Sequence, residues 1–561
     1  MIAVAAVAAS GGVASRVAGQ PVVQRPLPSA HVLPRTRAER SDYLETSTSA
    51  DVNAFIDSLR LAELPYTLGL FGRTSENRWI SYVVASRPAV GSPDEARKLG
   101  RPVVYVQANI HGGEVEGKDA LLALVRDLLA ERKPNVLDSI VLIALPNYNP
   151  DGNERLGPQA TNREEQHGPE LVGQRPNGQG LDLNRDYVKA EAPETRGTLA
   201  LLARWDPDLF VDLHTTDGSF HGYALTYAPP LAPVGIAGSF VRDSLLPVVR
   251  DRVRARAGFA TFDYGNFDNG DPSYRGFAGA GAAPGDTVTR AWLTYDHRPR
   301  FGVNYMGIRG RAAVLSEAFS HDPFERRLKS TYAFVRELLS VAAERRASLA
   351  RVRRSAAKGP SVGSMLAVRA RITAKPRRGP VIVEDIERLG DSTVLTEPGV
   401  PRGLRRTGQL RTLELAIYDR FDPELSVPVP PAYAIPPERA EVVRALRMHG
   451  IVVTQTTTPE RATTAAFMID SITRATRLFQ GHHETTLGGR WLAPRATTLP
   501  RGTWIVSTAQ PLGALAVYLL EPESDDGLVT WNTLDAALER GAEFPVVRLL
   551  VAPQVRRRTV P

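Results

Sequence analysis

The sequence predicts an α/β fold, with a mixed, largely parallel sheet flanked by helices and a smaller β-rich domain at the C-terminal end. Two observations support this prediction. Between about residues 61 and 319, short apolar runs typical of buried strands alternate with segments whose apolar residues recur at helical spacing. Beyond about residue 360, the pattern changes to short strands separated by proline and glycine.

Four apolar runs are expected to form strands of the sheet, because each has the length of a buried strand and is bounded by turn-forming or polar residues. These runs cover residues 103–110, 140–145, 208–213 and 312–316. Between the first two, residues 114–131 carry apolar side chains at helical spacing, and a second long helix is predicted over 324–353.

The composition shifts divide the chain into three predicted parts. Residues 26–354 form the first domain, and residues 360–561 form a β-rich accessory domain of unknown role, after a linker rich in small residues. Residues 1–25 are set apart as a signal or disordered leader. They begin with an apolar run followed by small residues, as a secretory signal does, although the basic start is missing. The expected location is therefore secreted or periplasmic, and a cytoplasmic location stays open.

Composition excludes several classes of function. The chain of 561 residues has no cysteine, so any metal must be held by histidine or carboxylate side chains, and only 10 histidines are present. The net charge of +8 comes without a basic tract interleaved with aromatic residues, which argues against nucleic-acid binding. No apolar run has the length of a membrane span, so no integral membrane segment is predicted.

Side chains that could bind a metal follow two of the predicted strands. His111-Gly-Gly-Glu114 comes directly after the first strand, and His214 comes directly after the third. Taken singly, each could be an ordinary loop or strand-end residue. The carboxyl ends of parallel strands, however, meet at one edge of a sheet, and two imidazoles with one carboxylate suit an open zinc site. Glu317, at the end of a fourth strand, could reach the same crevice as a general base.

The segments between these residues carry further motifs that support the prediction of a metal site. A tight loop, Pro146-Asn-Tyr-Asn-Pro-Asp-Gly152, follows the second strand, and Arg175 precedes Asp182-Leu-Asn-Arg185. With His-x-x-Glu before them and strand-end His and Glu after them, these blocks stand in the order found in the M14 family of zinc carboxypeptidases, which the chain resembles over about residues 61–345. The spacing of the Arg175 block is similar to that of the bacterial and cytosolic-carboxypeptidase-like branches.

The resemblance implies roles for individual residues. His111, Glu114 and His214 would bind one Zn²⁺ per chain, and Asp182 would orient His111. Arg175 would polarise the scissile carbonyl, and Glu317 would be the general base and acid. Asn184 and Arg185 would bind the terminal carboxylate of the substrate, a task for which the fork of an arginine is suited.

Two further substrate-binding residues are predicted upstream of Glu317. The family has a mobile tyrosine in this stretch, for which Tyr305 is preferred over Tyr295. Arg309, or Arg311, could contact an acidic side chain at the end of the substrate, if residues 300–311 are extended and the two arginines share a face. A local ion pair is about as good an explanation for both arginines, so specificity stays open.

The predicted function is zinc-dependent hydrolysis of C-terminal peptide bonds, with water activated by Zn²⁺ and Glu317, and with peptide or protein C-termini as substrates. A first alternative is a zinc amidase or deacylase acting on cell-wall peptides or acyl amino acids. A second is a non-catalytic binding protein on the same scaffold, which the full set of polar residues argues against. No partner of the accessory domain is identified.

Overall fold

A computed structural model of the protein describes residues 33–132, 134–268, 291–551 and 557–559. The predicted leader, residues 1–25, lies outside the described residues. Among the helices of the described ranges, none combines the length and the apolar composition needed to cross a membrane.

A mixed, twisted sheet forms the centre of the fold and confirms the predicted α/β class. Its strand order is β1-β2-β4-β3-β5-β8-β6-β7. The central pairs β4/β3, β3/β5 and β5/β8 are parallel, whereas β1, β2 and β6 join antiparallel neighbours. The strands are β1 (Thr67–Arg73), β2 (Trp79–Ala85), β3 (Val103–Ala108), β4 (Val141–Leu145), β5 (Leu209–Thr215), β6 (Leu225–Ala228), β7 (Thr261–Asp263) and β8 (Ala312–Ala318).

Helices cover one face of this sheet. Val104, Val106 and Val211 point to this face, where they join a buried apolar cluster with side chains of the covering helices. The helices of this layer are α1 (Ser49–Leu61), α2 (Glu116–Ala130), α4 (Leu246–Ala257) and α6 (Phe324–Glu344), and a further helix, Arg346–Ala356, follows α6. The predicted helix over 324–353 is therefore two helices that meet at Arg345.

The opposite face of the sheet carries the other side chains of each strand, including Tyr105 and Phe210, and is not covered by the helices named above. Helix α3 (Pro193–Trp205) and the C-terminal region pack there, and their side chains belong to one continuous apolar cluster. Asp212, His214 and Glu317 share this face with Phe210, because side chains alternate along a strand. The site residues of β5 and β8 thus lie on the side of the sheet that the C-terminal region covers.

The C-terminal region is rich in strands, as predicted. One sheet has Ala432–Ile435 near its centre and contains Glu460–Ala465, Arg495–Leu499, Trp504–Ser507, Val547–Leu549, Thr454–Thr456 and Arg557–Thr559. Three smaller antiparallel pairings join Met365–Ile372 to Phe421–Pro428, Arg377–Arg388 to Leu404–Tyr418, and Phe467–Arg474 to Thr485–Trp491. The helices are Ala440–Met448 and Gly513–Leu520.

One sheet combines strands from before and after residue 360. Asn266–Asp268 pairs with Ala291–Leu293, which pairs in parallel with Leu404–Tyr418. The C-terminal region is thus bound to the first region by a shared sheet as well as by a shared apolar cluster. The domain boundaries at 354 and 360 stay a prediction.

Candidate active site

The turn after β3 brings His111 and Glu114 to the edge of the sheet. Asn109 has φ +62°, a left-handed conformation that asparagine tolerates better than most residues. Its side-chain amide donates to the carbonyl oxygens of His111 and Glu114, at 2.9 and 3.2 Å. These bonds hold a tight turn from which α2 starts at Glu116, so that both side chains are directed into one crevice.

His214 reaches the same crevice from the neighbouring strand. It lies within β5, and it pairs in register with Glu317 of the parallel strand β8. Both strands are one or two residues longer than predicted, so these two residues lie inside strands instead of directly after them.

The carboxylate of Glu114 lies between the two imidazoles. Its Oε1 is 2.8 Å from Nδ1 of His111, and its Oε2 is 2.9 Å from Nδ1 of His214. All three side chains are buried, and one ligand atom of each lies within 4.8 Å of the others. Burial by itself raises the pKa of Glu114, but the charges of His111 and Arg163 and the imidazole contacts lower it well below its usual value. The group is therefore an ionised carboxylate.

The outer nitrogens of both imidazoles face carboxylates. Nε2 of His111 is 3.1 Å from Oδ1 of Asp182, and Nε2 of His214 is 3.1 Å from Oδ2 of Asp212. A carboxylate on one ring nitrogen fixes the ring and leaves the other nitrogen free for a metal. Two such imidazoles and one carboxylate are a donor set that Zn²⁺ takes with one position open. The residues His111, Glu114 and His214, hereafter the triad, therefore fit a zinc ion.

Three glycines allow the loops around the triad to close. A Cβ on Gly112 would lie 2.3 Å from the carbonyl carbon of Gly152, and one on Gly173 would lie 2.5 Å from the carbonyl oxygens of both Gly112 and Gly152. Each of these contacts is with backbone, which cannot swing aside as a side chain can. The triad turn, the Asn-Pro-Asp-Gly loop and the loop before Arg175 can therefore pack together only as glycine backbone.

Asp182 holds the next loop to the triad. Besides His111, its carboxylate accepts hydrogen bonds from Nε of Arg175 at 3.0 Å and from the backbone N–H of Asn184 at 2.9 Å. Burial raises the pKa of Asp182, but the charges of Arg175 and His111 outweigh this effect and lower it well below its usual value. The Arg175 guanidinium also lies 3.5 Å from Oε1 of Glu114, which places its charge beside the triad.

A pocket of about 330 Å³ opens beside the triad. Arg175, Asn184, Arg185 and Glu317 line it together with the triad. The Arg185 guanidinium lies 4.0 Å from the centre of the Phe301 ring, with which it forms a cation–π contact. Most of the remaining wall is aromatic or apolar and is formed by Tyr264, Tyr295, Phe301, Val303 and Leu315. Three polar residues, Thr215, Asp217 and Asp296, complete it.

Glu317 is buried in the wall of this pocket. Burial raises the pKa of Glu317 well above its usual value; the charge of His214 opposes the shift, and the charges of Glu114 and Asp217 add to it. A carboxylate removed from water in this way is more basic than an exposed one, as a proton acceptor in catalysis should be.

The structure does not bring Tyr305 and Arg309 to the pocket. Residues 302–308 form a helix, α5 (Gly302–Ile308), instead of the extended segment assumed from the sequence. Positions four apart share one face of a helix, and here that face meets the C-terminal region: Tyr305 Oη is 2.9 Å from Nδ1 of His449, and Arg309 donates to the His449 carbonyl at 3.0 Å. Arg311 pairs with Asp206. Tyr295, the second choice for the mobile tyrosine, lines the pocket.

Comparison with known proteins agrees with this geometry. A family model described as zinc carboxypeptidase, peptidase M14, matches residues 53–230, which include the triad and the Arg175–Arg185 loop but not Glu317. Residues 53–230 of the chain thus match the M14 family of zinc carboxypeptidases. This confirms the family predicted from the sequence, and it places the protein among the metallocarboxypeptidase enzymes.

Individual relatives are similar over different lengths. Carboxypeptidase 2 of Trichophyton equinum is 25% identical over 486 residues, which cover 83% of this chain and 79% of the relative. Human carboxypeptidase D is 29% identical over 194 residues, which cover 33% of this chain and 13% of the relative. Among solved structures, a metallo-carboxypeptidase from Burkholderia cenocepacia aligns with 53% of this chain and 69% of its own, at 17% identity and a TM-score of 0.38.

Sequence reasoning missed two polar residues at this site. Asp212 stands two positions before His214, so strand alternation alone could have placed both on one face. Arg163 donates from Nη1 to Oε1 of Glu114 at 3.2 Å, and from Nη2 to the carbonyl oxygens of Thr215 and Thr216. No spacing signal pointed to Arg163, because it lies in an irregular segment that only the folded chain brings to the triad.

The glycine packing predicts a selective effect of one methyl group. In Gly152→Ala, the new Cβ would lie 2.5 Å from the carbonyl oxygen of Pro176, so the loops must separate. We expect the free energy of unfolding to fall by about 1–3 kcal/mol, as for other overpacked sites, and zinc to be bound more weakly. Urea unfolding and a zinc titration measure the two effects. Gly72→Ala is the matched control, since its Cβ would meet no atom within 4 Å. Equal behaviour of the two variants would contradict this account of the loops.

Proposed function

We propose that the protein is a zinc-dependent exopeptidase that removes single residues from the free C-termini of peptides. The observation that carries the proposal is the shared pocket: the triad, Asn184, Arg185 and Glu317 line one cavity of about 330 Å³. Such a pocket could hold the terminal residue of a peptide with its carboxylate at one side and the scissile bond at the triad. The apolar N-terminal run supports a secreted or periplasmic location as part of the same proposal.

His111, Glu114 and His214 would hold one Zn²⁺ per chain. A zinc ion in this position supplies a Lewis acid for the scissile carbonyl and lowers the pKa of a water molecule. Asp182 and Asp212 keep the imidazoles in place from the outside, which favours metal binding because the rings need not be ordered when the ion enters.

Arg185 and Asn184 would bind the terminal carboxylate of the substrate. Burial lowers the pKa of Arg185 without removing its charge, because the ordinary pKa of arginine is far above neutrality. One of its Nη atoms donates to the Asn184 carbonyl at 2.9 Å, which leaves other N–H groups of the guanidinium for an anion. A carboxylate that accepts a charge-assisted bond here distinguishes a peptide with a free end from an internal peptide bond.

Arg175 and Glu317 would act on the bond that is cleaved. The Arg175 guanidinium lies beside the triad, held by Asp182, so it can donate to the carbonyl oxygen as negative charge develops there. Glu317 would take a proton from the attacking water at its carboxylate and pass it to the nitrogen of the leaving amino acid. Attack and C–N cleavage then release a shortened peptide and one free amino acid.

The amidase or deacylase alternative uses the same metal chemistry on a different substrate. A deacylase would cleave an acyl amino acid, whereas the proposed exopeptidase would cleave a peptide of several residues. The aromatic and apolar wall beside Arg185 accommodates a side chain in either case. The two functions therefore differ in the substrate that is cleaved, whereas both need the metal.

The proposed recognition of a free carboxylate predicts a clear substrate dependence. Zinc-loaded protein should shorten a library of peptides from the C-terminus by one residue, should leave the same peptides untouched when they are amidated, and should lose activity with a chelator. Mass spectrometry of the products measures all three effects. Cleavage of N-acyl amino acids without cleavage of peptides would favour the deacylase, and equal cleavage of amidated peptides would contradict the role of Arg185.

The role of Glu317 predicts a loss of turnover without a loss of metal. We expect Glu317→Gln to lower kcat by about 10²–10⁴-fold, the usual contribution of a general acid–base group, while zinc content stays near one per chain. Glu325→Gln, at an exposed position of α6, is the matched control and should leave kcat unchanged. Steady-state kinetics and metal analysis of the same samples measure kcat and the zinc content. Full turnover of zinc-loaded Glu317→Gln would show that another group moves the proton.

A further inference from the structure

A turn in the C-terminal region reaches the loop that carries Arg175 and Asp182. The turn connects the strands Phe467–Arg474 and Thr485–Trp491, and it is closed by two backbone hydrogen bonds between Phe479 and His482, at 2.8 and 3.0 Å. Its central residues, Gln480 and Gly481, both have positive φ, +51° and +81°. This is the pattern of a tight hairpin turn in which Asn-Gly is the favoured pair.

Gln480 is therefore an unfavourable choice for the turn itself. A left-handed conformation costs free energy for residues other than glycine, and least for asparagine or aspartate. A residue kept in such a conformation suggests that its side chain has a use. The side chain of Gln480 has one: its Oε1 accepts a hydrogen bond from the backbone N–H of Asp182 at 2.8 Å, across 298 positions in sequence.

Asp182, the residue that donates this hydrogen bond, holds several groups of the site in place. The Asp182 carboxylate meets Nε2 of His111 and Nε of Arg175, and it accepts from the backbone N–H of Asn184. The bond from Gln480 to the backbone of Asp182 therefore fixes the point from which this carboxylate extends. A shift of that backbone would move a triad imidazole and the guanidinium beside it together.

The turn is itself held against the first region by the residues that follow Gln480. His482 lies 2.9 Å from Glu191 through Nε2 and 2.9 Å from Asn532 through Nδ1. Arg300, next to the pocket residue Phe301, donates to Glu484 at 2.6 Å. Two residues of the segment His482-His-Glu484 therefore pair with the first region. These contacts give Gln480 a rigid base from which to position Asp182.

We propose that Gln480 is a positioning residue of the active site, which holds the backbone of Asp182 and, through it, His111 and Arg175. This gives the C-terminal region a part in catalysis, and it rests on the proposed function for its effect on turnover. The effect on zinc retention rests only on the contacts of His111. It can therefore be measured even if the substrate is not a peptide.

Two substitutions separate this role from that of a turn former. Gln480→Asn suits the left-handed conformation better but is one methylene shorter, so its side chain falls short of the Asp182 N–H. Gln480→Glu keeps the length and an acceptor oxygen. We expect Gln480→Asn to lower kcat by about 5–10-fold with little change in KM, somewhat less than the loss seen when a direct partner of a metal ligand is removed. It should also release zinc to a chelator faster by a similar factor, with an unchanged or higher Tm. Gln480→Glu should stay within about 2-fold of the unsubstituted protein in both rates.

The experiment measures kcat, KM, the rate of zinc release to a chelator, and Tm for the full chain and both variants. Wild-type behaviour of Gln480→Asn would overturn the proposal, as would equal losses in the two variants or a loss that follows a fall in Tm. If the unsubstituted chain binds zinc but cleaves no peptide, the proposed function fails, and the zinc-release rates alone then decide the role of Gln480.

Discussion

The carboxylate of Glu114 lies between two imidazole nitrogens and is almost entirely removed from water. A buried carboxylate is costly unless its oxygens are fully paired. Here the pairing comes from His111 in the turn after β3, from His214 within β5, and from Arg163 in the segment between them. The surrounding loops can approach closely enough to complete this arrangement because Gly112, Gly152 and Gly173 present bare backbone to one another. The shape of the site thus follows from the need to satisfy one charge.

The first region and the C-terminal region both stabilise the arrangement of the triad. One face of the central sheet is covered by helices, and the face with His214 and Glu317 is covered by α3 and the C-terminal region. The contacts of Arg300, His482 and Gln480 lie along this junction, close to the loop of Asp182. The C-terminal region can in this way set the geometry of the triad and of the residues around it.

Much of this arrangement could be predicted from local signals. Apolar runs of strand length located β3, β4, β5 and β8 within one or two residues, and the strand ends located His111, Glu114, His214 and Glu317. Tyr305 and Arg309 were predicted wrongly for the pocket, because Gly302–Ile308 is short and its helical spacing competes with an extended pattern. The contact between Gln480 and Asp182 spans 298 positions and depends on how two regions pack, which no local pattern records.

X-ray absorption spectroscopy of the zinc-loaded chain tests the central claim most directly, because it reports the atoms around the ion itself. The arrangement around Glu114 predicts one zinc per chain, with two imidazole nitrogens and carboxylate oxygen at about 2.0–2.2 Å. A zinc ion without imidazole in its coordination shell, or a chain that takes up no zinc when metal is supplied in excess, would contradict the account.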